Sequence, residues 1–336
     1  MRRTAVMPVR AATVGLGFAL LAGCSDAGSA GSDGTAGATA TTPTATTPSA
    51  AASDPPTSPT ATPSPPPARL DVDRILATIR TLSERIGPRE ATSAAYRQAA
   101  TVVVRRLDDL GYEVRRQSLR VPAGVSWGVP VPAGRTHNVI AEPAGFDPAE
   151  PHLVVGAHLD TVPQAPGAED NASGVAVLLE TARLAAETPA AVPVVFVAFA
   201  AEEPRGDGDD RHHFGSRAYV ASLGRAAKAV LLGMISLDRV GVGDRVPICT
   251  GGLGPRTVAD QLVRVARRLD LPVRRCFDNR ASDHWSFERA GLTGARIGST
   301  PYPEYHSAAD RIGVVERRQL TRVARLLTET LRTWPR

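Results

Sequence analysis

Short, almost wholly apolar runs recur between helical stretches, and acidic or histidine residues stand just after them. Leu153-Val154-Val155, Val194 to Phe199 and Val230 to Ile235 carry no charged side chain. A strand that is apolar on both faces must be covered on both, which is the habit of parallel strands under helices. Helical periodicity fills the intervals, over Ala172 to Ala186, Phe214 to Ala221 and Val258 to Leu269, and a last helix is expected from Val315 to Thr333. Upstream, Val72, Ile75, Leu76, Ile79 and Leu82 recur at helical spacing and predict a helix over 71–86. A second is predicted from Ala91 to Leu110, stopped by Gly111. This alternation predicts one α/β domain over 69–336: a three-layer α/β/α sandwich on a mixed, largely parallel central sheet. No internal repeat and no second boundary interrupts it.

The chemistry-bearing residues sit where open α/β sheets gather their ligands, just past the C-terminal ends of strands. His158 and Asp160 follow the first run, Glu202 and Glu203 the second, and Asp238 the third. Asp170 opens the next helix, and His306 precedes the final one. Nitrogen and oxygen donors in this mixture suit zinc. A pair of zinc ions about 3.5–4 Å apart needs one bridging carboxylate, with a histidine and an acid for each ion. The set meets that count with Asp170 as bridge, His158 and Asp238 on one ion, and Glu203 and His306 on the other. Each motif alone has a plainer reading. Glu-Glu pairs are common on solvated helix ends, a single His-x-Asp is usually structural, and Asp170 or Asp283 could simply cap a helix.

Taken in order, His158-Leu159-Asp160, Asp170-Asn171-Ala172-Ser173-Gly174, Glu202-Glu203, Ser236-Leu237-Asp238 and Tyr305-His306-Ser307 resemble the successive ligand motifs of M28 peptidases. Gly215-Ser216-Arg217 and Ser282-Asp283-His284 agree as flanking segments. The resemblance covers residues 70–333 and implies the zinc-dependent exopeptidase fold, two zinc ions per chain and an aminopeptidase acting on peptide or protein N-termini. It also implies roles. Asp160 would accept a hydrogen bond from the His158 ring. Glu202 would be the general base, and Tyr305 would donate to the developing oxyanion. Ser282-Asp283-His284 reads as architectural.

Two places depart from the family pattern. Residues 204–214 form a longer connection than usual, rich in Gly and Asp with His212 and His213, and this reads as a flexible solvated loop. Arg239 stands after Asp238 where the family often has Met. Three rival functions share the resemblance: a glutaminyl-cyclase-like acyltransferase using one zinc, an amidohydrolase, and a non-catalytic binding ectodomain. Retention of both His158 and Asp238 disfavours the first, and retention of Glu202 disfavours the last.

The N-terminus predicts export. Arg2, Arg3 and Arg10 precede an apolar run from Ala11 to Ala22, too short for a stable span and suited to a signal peptide over 1–23. Leu21-Ala22-Gly23-Cys24 resembles a bacterial lipobox, so Cys24 is the expected lipidation site, anchoring the chain to the outer face of the cell membrane. Residues 24–68, rich in Ser, Thr, Ala and Pro, are expected to be a disordered tether. With Cys24 set aside, Cys249 and Cys276 permit one disulfide if their apolar segments are neighbouring strands. The net charge of +5 is spread among acidic residues without a basic, aromatic-interleaved stripe, which excludes nucleic acid as a partner. A monomer is expected.

Overall fold

The computed structural model describes residues 69–335. The expected signal peptide, Cys24 and the tether lie outside them. Ten strands are present among the described residues: β1 (Glu113–Val121), β2 (Gly124–Ser126), β3 (Val129–Val131), β4 (Gly134–Glu142), β5 (His152–His158), β6 (Val194–Phe199), β7 (Leu231–Asp238), β8 (Val246–Cys249), β9 (Val273–Cys276) and β10 (Gly294–Gly298). The helices are α1 (Val72–Arg80), α2 (Ala94–Asp108), α3 (Gly174–Glu187), α4 (Phe214–Ser222), α5 (Arg225–Val230), α6 (Thr257–Arg268), α7 (His284–Arg289) and α8 (Arg317–Arg332). A wider-wound turn, Thr81–Ile86, extends α1 to the expected end.

Eight strands form one sheet in the order β1-β4-β6-β5-β7-β10-β8-β9, and β2 pairs with β3 as a separate hairpin. Strands β6, β5, β7 and β10 run parallel at the centre. β1, β4 and β6 are joined by antiparallel pairings, as are β10 and β8. The sheet is therefore mixed, with a parallel middle.

Alternation within the strands divides the core into two layers. Leu153, Val155, Phe196, Ala198, Ile235 and Leu237 pack with α1, α2, α3, α6 and α8 on one face. Val154, Val195, Val197, Phe199 and Met234 pack with Tyr219 and Val220 of α4 and Phe287 of α7 on the other. Covering both faces explains why these strands read as unbroken apolar runs. Burying a side chain of this size stabilises by about 1.5–3 kcal/mol relative to exposure.

The parallel strands β5, β6 and β7 end at the same rim of the sheet, and the candidate ligands stand at or just past those ends. Gly298 at the end of β10 permits a close approach at this rim. Its φ is 120°, and a Cβ there would lie 1.9 Å from the Asp238 carbonyl oxygen. On the far side, β8 and β9 are parallel neighbours with Cys249 opposite Cys276, and the two sulfurs are bonded across a Cα–Cα distance of 4.4 Å.

Candidate metal centre

His158 ends β5 with its ring buried at the rim. Its Nε2 lies 3.1 Å from Asp170 Oδ1 and 3.7 Å from Asp238 Oδ1. His306, in the loop before α8, places Nε2 3.1 Å from Asp170 Oδ2 and 3.4 Å from Glu203 Oε1. Asp170 thus turns one oxygen to each histidine. Donor atoms from His158, Asp170 and Asp238 all fall within 4.8 Å of one another, and so do those from Asp170, Glu203 and His306.

The turn that carries Asp170 is held by its neighbours. Asp310 accepts the backbone N–H of Glu169 at 2.8 Å and of Asp170 at 3.1 Å. Asn171 donates to the Leu237 carbonyl at 2.8 Å and accepts from the N–H of Gly174 and Arg239, tying the turn to β7 and to the start of α3. The helix-capping role therefore falls to Asn171, and Asp170 is free to face the histidines. The chain before it is secured by Arg89, which is fully buried. Its guanidinium donates to the carbonyls of Leu159 at 2.7 Å, Pro166 at 2.6 Å and Gly167 at 3.0 Å.

Asp160 departs from its expected contact. Its carboxylate is 3.9 Å from His158 Nδ1, beyond hydrogen-bond reach, and the backbone carbonyl of Asp160 faces that nitrogen at 3.2 Å instead. The carboxylate accepts the N–H of Glu202 at 3.1 Å and of Glu203 at 3.2 Å. It orients the paired glutamates rather than the imidazole. Glu202 directs Oε2 toward the cluster, 4.0 Å from His158 Nε2, and Oε1 toward His213 Nε2 at 3.1 Å.

The electrostatics are those of a site built for cations. Burial alone would push the His306 pKa down, yet Glu203 and Asp170 hold it up at about 10. Burial likewise opposes the His158 cation, but Glu202, Asp170 and Asp238 raise its pKa well above the usual value. Burial lifts Glu202 to about 8 and Glu203 to about 7, and neighbouring carboxylates add to the cost of ionising them. Glu203 Oε1 is buried without a hydrogen bond. Buried carboxylates converging on histidine nitrogens are stabilised by coordinating metal, and this donor set of two imidazoles and three carboxylates fits divalent zinc.

The cleft above these residues is also lined by Trp127, Arg239, Arg280, Arg296 and Tyr305, and encloses about 290 Å³. Tyr305 stacks on the His306 ring at 3.6 Å, and burial raises the pKa of its hydroxyl, so that group stays protonated. Arg296 reaches from β10 to within 3.0 Å of Asp238 Oδ1. The 204–214 connection is not free in solvent as expected. Arg205 and His213 are buried, and Arg205 donates to the carbonyls of Pro122 and Pro132 and pairs with Glu90. Asp209 and Asp210 remain exposed, so only the middle is solvated. Ser282 Oγ meets Ser236 Oγ of the central strand β7 at 2.9 Å, and the Asp283 side chain makes no cap to α7.

Residues 138–331 match the family model described as Peptidase family M28. The chain belongs to peptidase family M28. Among curated relatives, the "Uncharacterized protein YfbL" of Escherichia coli K12 is 32% identical over 191 residues, covering 54% of this chain and 53% of that one. The "Probable lipoprotein aminopeptidase LpqL" of Mycobacterium tuberculosis is 37% identical over 121 residues, covering 36% and 22%. The chain spans about half the length, or less, of the curated relatives it matches. Among solved structures, BSAP, a zinc aminopeptidase from Bacillus subtilis, aligns with a TM-score of 0.68 at 19% identity, over 78% of this chain and 94% of that one. A Fimbriiglobus ruber glutaminyl cyclase aligns with a TM-score of 0.67 at 23% identity, over 80% and 97%. The fold of this chain is therefore shared with both.

Proposed function

We propose that this M28 member is a zinc-dependent exopeptidase, acting as an aminopeptidase on peptide or protein N-termini. The observation that carries the reading is the division of Asp170 between His158 and His306, with Asp238 and Glu203 completing one cluster each. His158, Asp170 and Asp238 would hold one ion, and Asp170, Glu203 and His306 the other. Bound there, two zinc ions would supply Lewis-acid polarisation of the scissile carbonyl and an acidified water.

The protein's own part is positioning and proton transfer. Glu202 takes the proton of the attacking water at Oε2 and returns it to the leaving amine. Asp160 fixes the backbone of Glu202 and Glu203, so the base and its neighbouring ligand keep their relative placement. Tyr305, kept protonated by burial, donates to the oxygen that gains charge. A one-zinc acyltransferase would have no use for two complete ligand clusters, and this favours the peptidase. We further propose that the chain is exported, monomeric, and anchored by a lipid on Cys24. The lipobox-like sequence supports export and anchoring, as does the printed name of the mycobacterial relative. Among the described residues no helix is long and apolar enough to cross a membrane.

The test is hydrolysis by the purified chain of aminoacyl and N-blocked peptide substrates, with and without chelator. Cleavage of free N-termini that chelation abolishes is expected, and cleavage of blocked peptides alone would overturn the aminopeptidase assignment. Glu202→Gln is expected to keep its metal and lose turnover by about 10²- to 10⁴-fold.

A further inference from the structure

One wall of the cleft carries a cation that no ligand role uses. Arg239 follows Asp238 directly, with a backbone φ of 56°, as the chain leaves β7. Its side chain is only 11% exposed. The guanidinium carbon lies 4.3 Å from the centroid of the Tyr305 ring, and Nη2 donates to Ser299 Oγ at 3.3 Å. The nearest carboxylate oxygen, Asp238 Oδ1, is 3.8 Å from Nε, too far for a hydrogen bond. A guanidinium offers five N–H donors and is always charged. Arg239 therefore stands largely buried beside the site with the Tyr305 ring and Ser299 Oγ as close partners, within the field of Asp170 and Asp238 but with no carboxylate at hydrogen-bond distance.

Its neighbours are differently placed. Arg296 donates to the Ala281 carbonyl and to Asn279 Oδ1 and sits 3.0 Å from Asp238 Oδ1, so it is committed to the fold. Arg280 lies over the Trp285 ring at 4.9 Å and is exposed to solvent. Two divalent cations would balance Asp170, Glu202, Glu203 and Asp238. Of the charges lining the cleft, Asp209, on the exposed middle of the 204–214 connection, is then the remaining acid against three guanidiniums. A desolvated cation in such a wall favours an anionic group on the ligand.

We propose that Arg239 receives a substrate carboxylate next to the scissile bond, which makes the site selective for acidic substrates. This rests on the exopeptidase reading above. The carboxylate has two sources: the side chain of an aspartyl or glutamyl first residue, or the free C-terminus of a very short peptide. Arg239 is a specificity-determining residue here, and the proton transfers remain with Glu202.

The experiment uses the zinc-loaded full chain and two pairs of probes. The first pair is glutamyl- against leucyl-p-nitroanilide, and the second is Leu-Leu against Leu-Leu-amide. The acidic member of at least one pair is expected to be favoured in kcat/KM. Arg239→Met is expected to reduce that preference by about 10- to 100-fold, the range for a hydrogen bond to a charged group. Arg239→Lys is expected to restore part of it. Calorimetric titration of the Glu202→Gln chain with L-glutamate, L-leucine and both dipeptides reads the same preference without turnover. Preference within the first pair assigns the carboxylate to the side chain, and within the second to the C-terminus. If neither pair is discriminated, or discrimination survives Arg239→Met, the proposal is overturned. Absence of turnover with every probe would refute the exopeptidase reading, while the calorimetry would still decide the role of Arg239.

Discussion

His213 Nε2 lies 3.1 Å from Glu202 Oε1, and both side chains are buried beneath the cleft. Burial depresses the His213 pKa to about 4, so the ring is a neutral polar partner for the carboxylate. The ring packs beside Oε1 at this distance without a hydrogen bond to it, and Oε2 is left to the reacting side. His213→Leu is expected to lower kcat by about tenfold, or about 1.4 kcal/mol, the scale of replacing a polar neighbour of a buried carboxylate by an apolar one. Metal content should be unchanged, and His213→Gln should recover part of the loss. Steady-state kinetics with metal analysis on the same samples would check this. A rise in KM with kcat intact would refute the positioning role.

Asp170 cannot be replaced by a group that shares itself equally. Asn offers one oxygen and one NH₂, so Asp170→Asn keeps an acceptor toward one histidine and presents a donor to the other. The variant is expected to bind fewer zinc ions per chain than the parent after dialysis, as read by elemental analysis. The rise in melting temperature on adding zinc should shrink with it. Equal stoichiometry would exclude Asp170 as the shared ligand.

The Cys249–Cys276 bond closes a loop with a sequence separation of 27 residues. On the loop-entropy scale this stabilises by about 3.5 kcal/mol. The double variant Cys249→Ala/Cys276→Ala is expected to lose an amount of that order in urea unfolding. Reducing agent should have the same effect on the parent and none on the variant.

His284 supplies a pH dependence through its own ring. Its ring is fully buried, its Nε2 contacts the Asn279 carbonyl at 2.8 Å, and burial, with the nearby Arg296 charge, drives its pKa down to about 3. The unfolded chain would protonate this ring near pH 6.5. Between those values the unfolded state binds more protons, so stability falls as pH falls. At pH 5 the cost from this residue is about 2 kcal/mol. Parent and His284→Leu should therefore differ in the slope of unfolding free energy between pH 7 and pH 4, with the variant flatter. Parallel slopes would show that His284 does not titrate on unfolding.

Legibility in the sequence followed burial. Strands β5, β6 and β7 are covered on both faces, so their apolar runs stood out, and the acids after them marked the rim. β1 escaped notice because it is an edge strand whose residues, Glu113 to Val121, are mostly charged or polar and only partly covered. β10 is five residues long and contains Arg296, a residue that normally signals solvent and here is buried against Asp238. The five ligand candidates were legible because metal chemistry restricts residue type and the sheet restricts position. Their supports were not. Arg89, Asp310, Asn171 and His213 act through backbone groups or through partners distant in sequence, and no local spacing announces such contacts. The 204–214 connection misled for the same reason, since its Gly and Asp content describes the exposed middle and conceals the anchoring by Arg205.

Arg89 sets a ruler inside the molecule. Its single guanidinium grips the carbonyls at both ends of the stretch between His158 and Asp170, in a place that water does not enter. Lengthening or shortening that stretch by even one residue would tear a carbonyl away and strand a charge in the dry interior. A change of length is better borne by a connection such as 204–214, whose middle faces solvent, while the spacing along the chain between His158 and Asp170 is held by one side chain contributed from the N-terminal part of the domain.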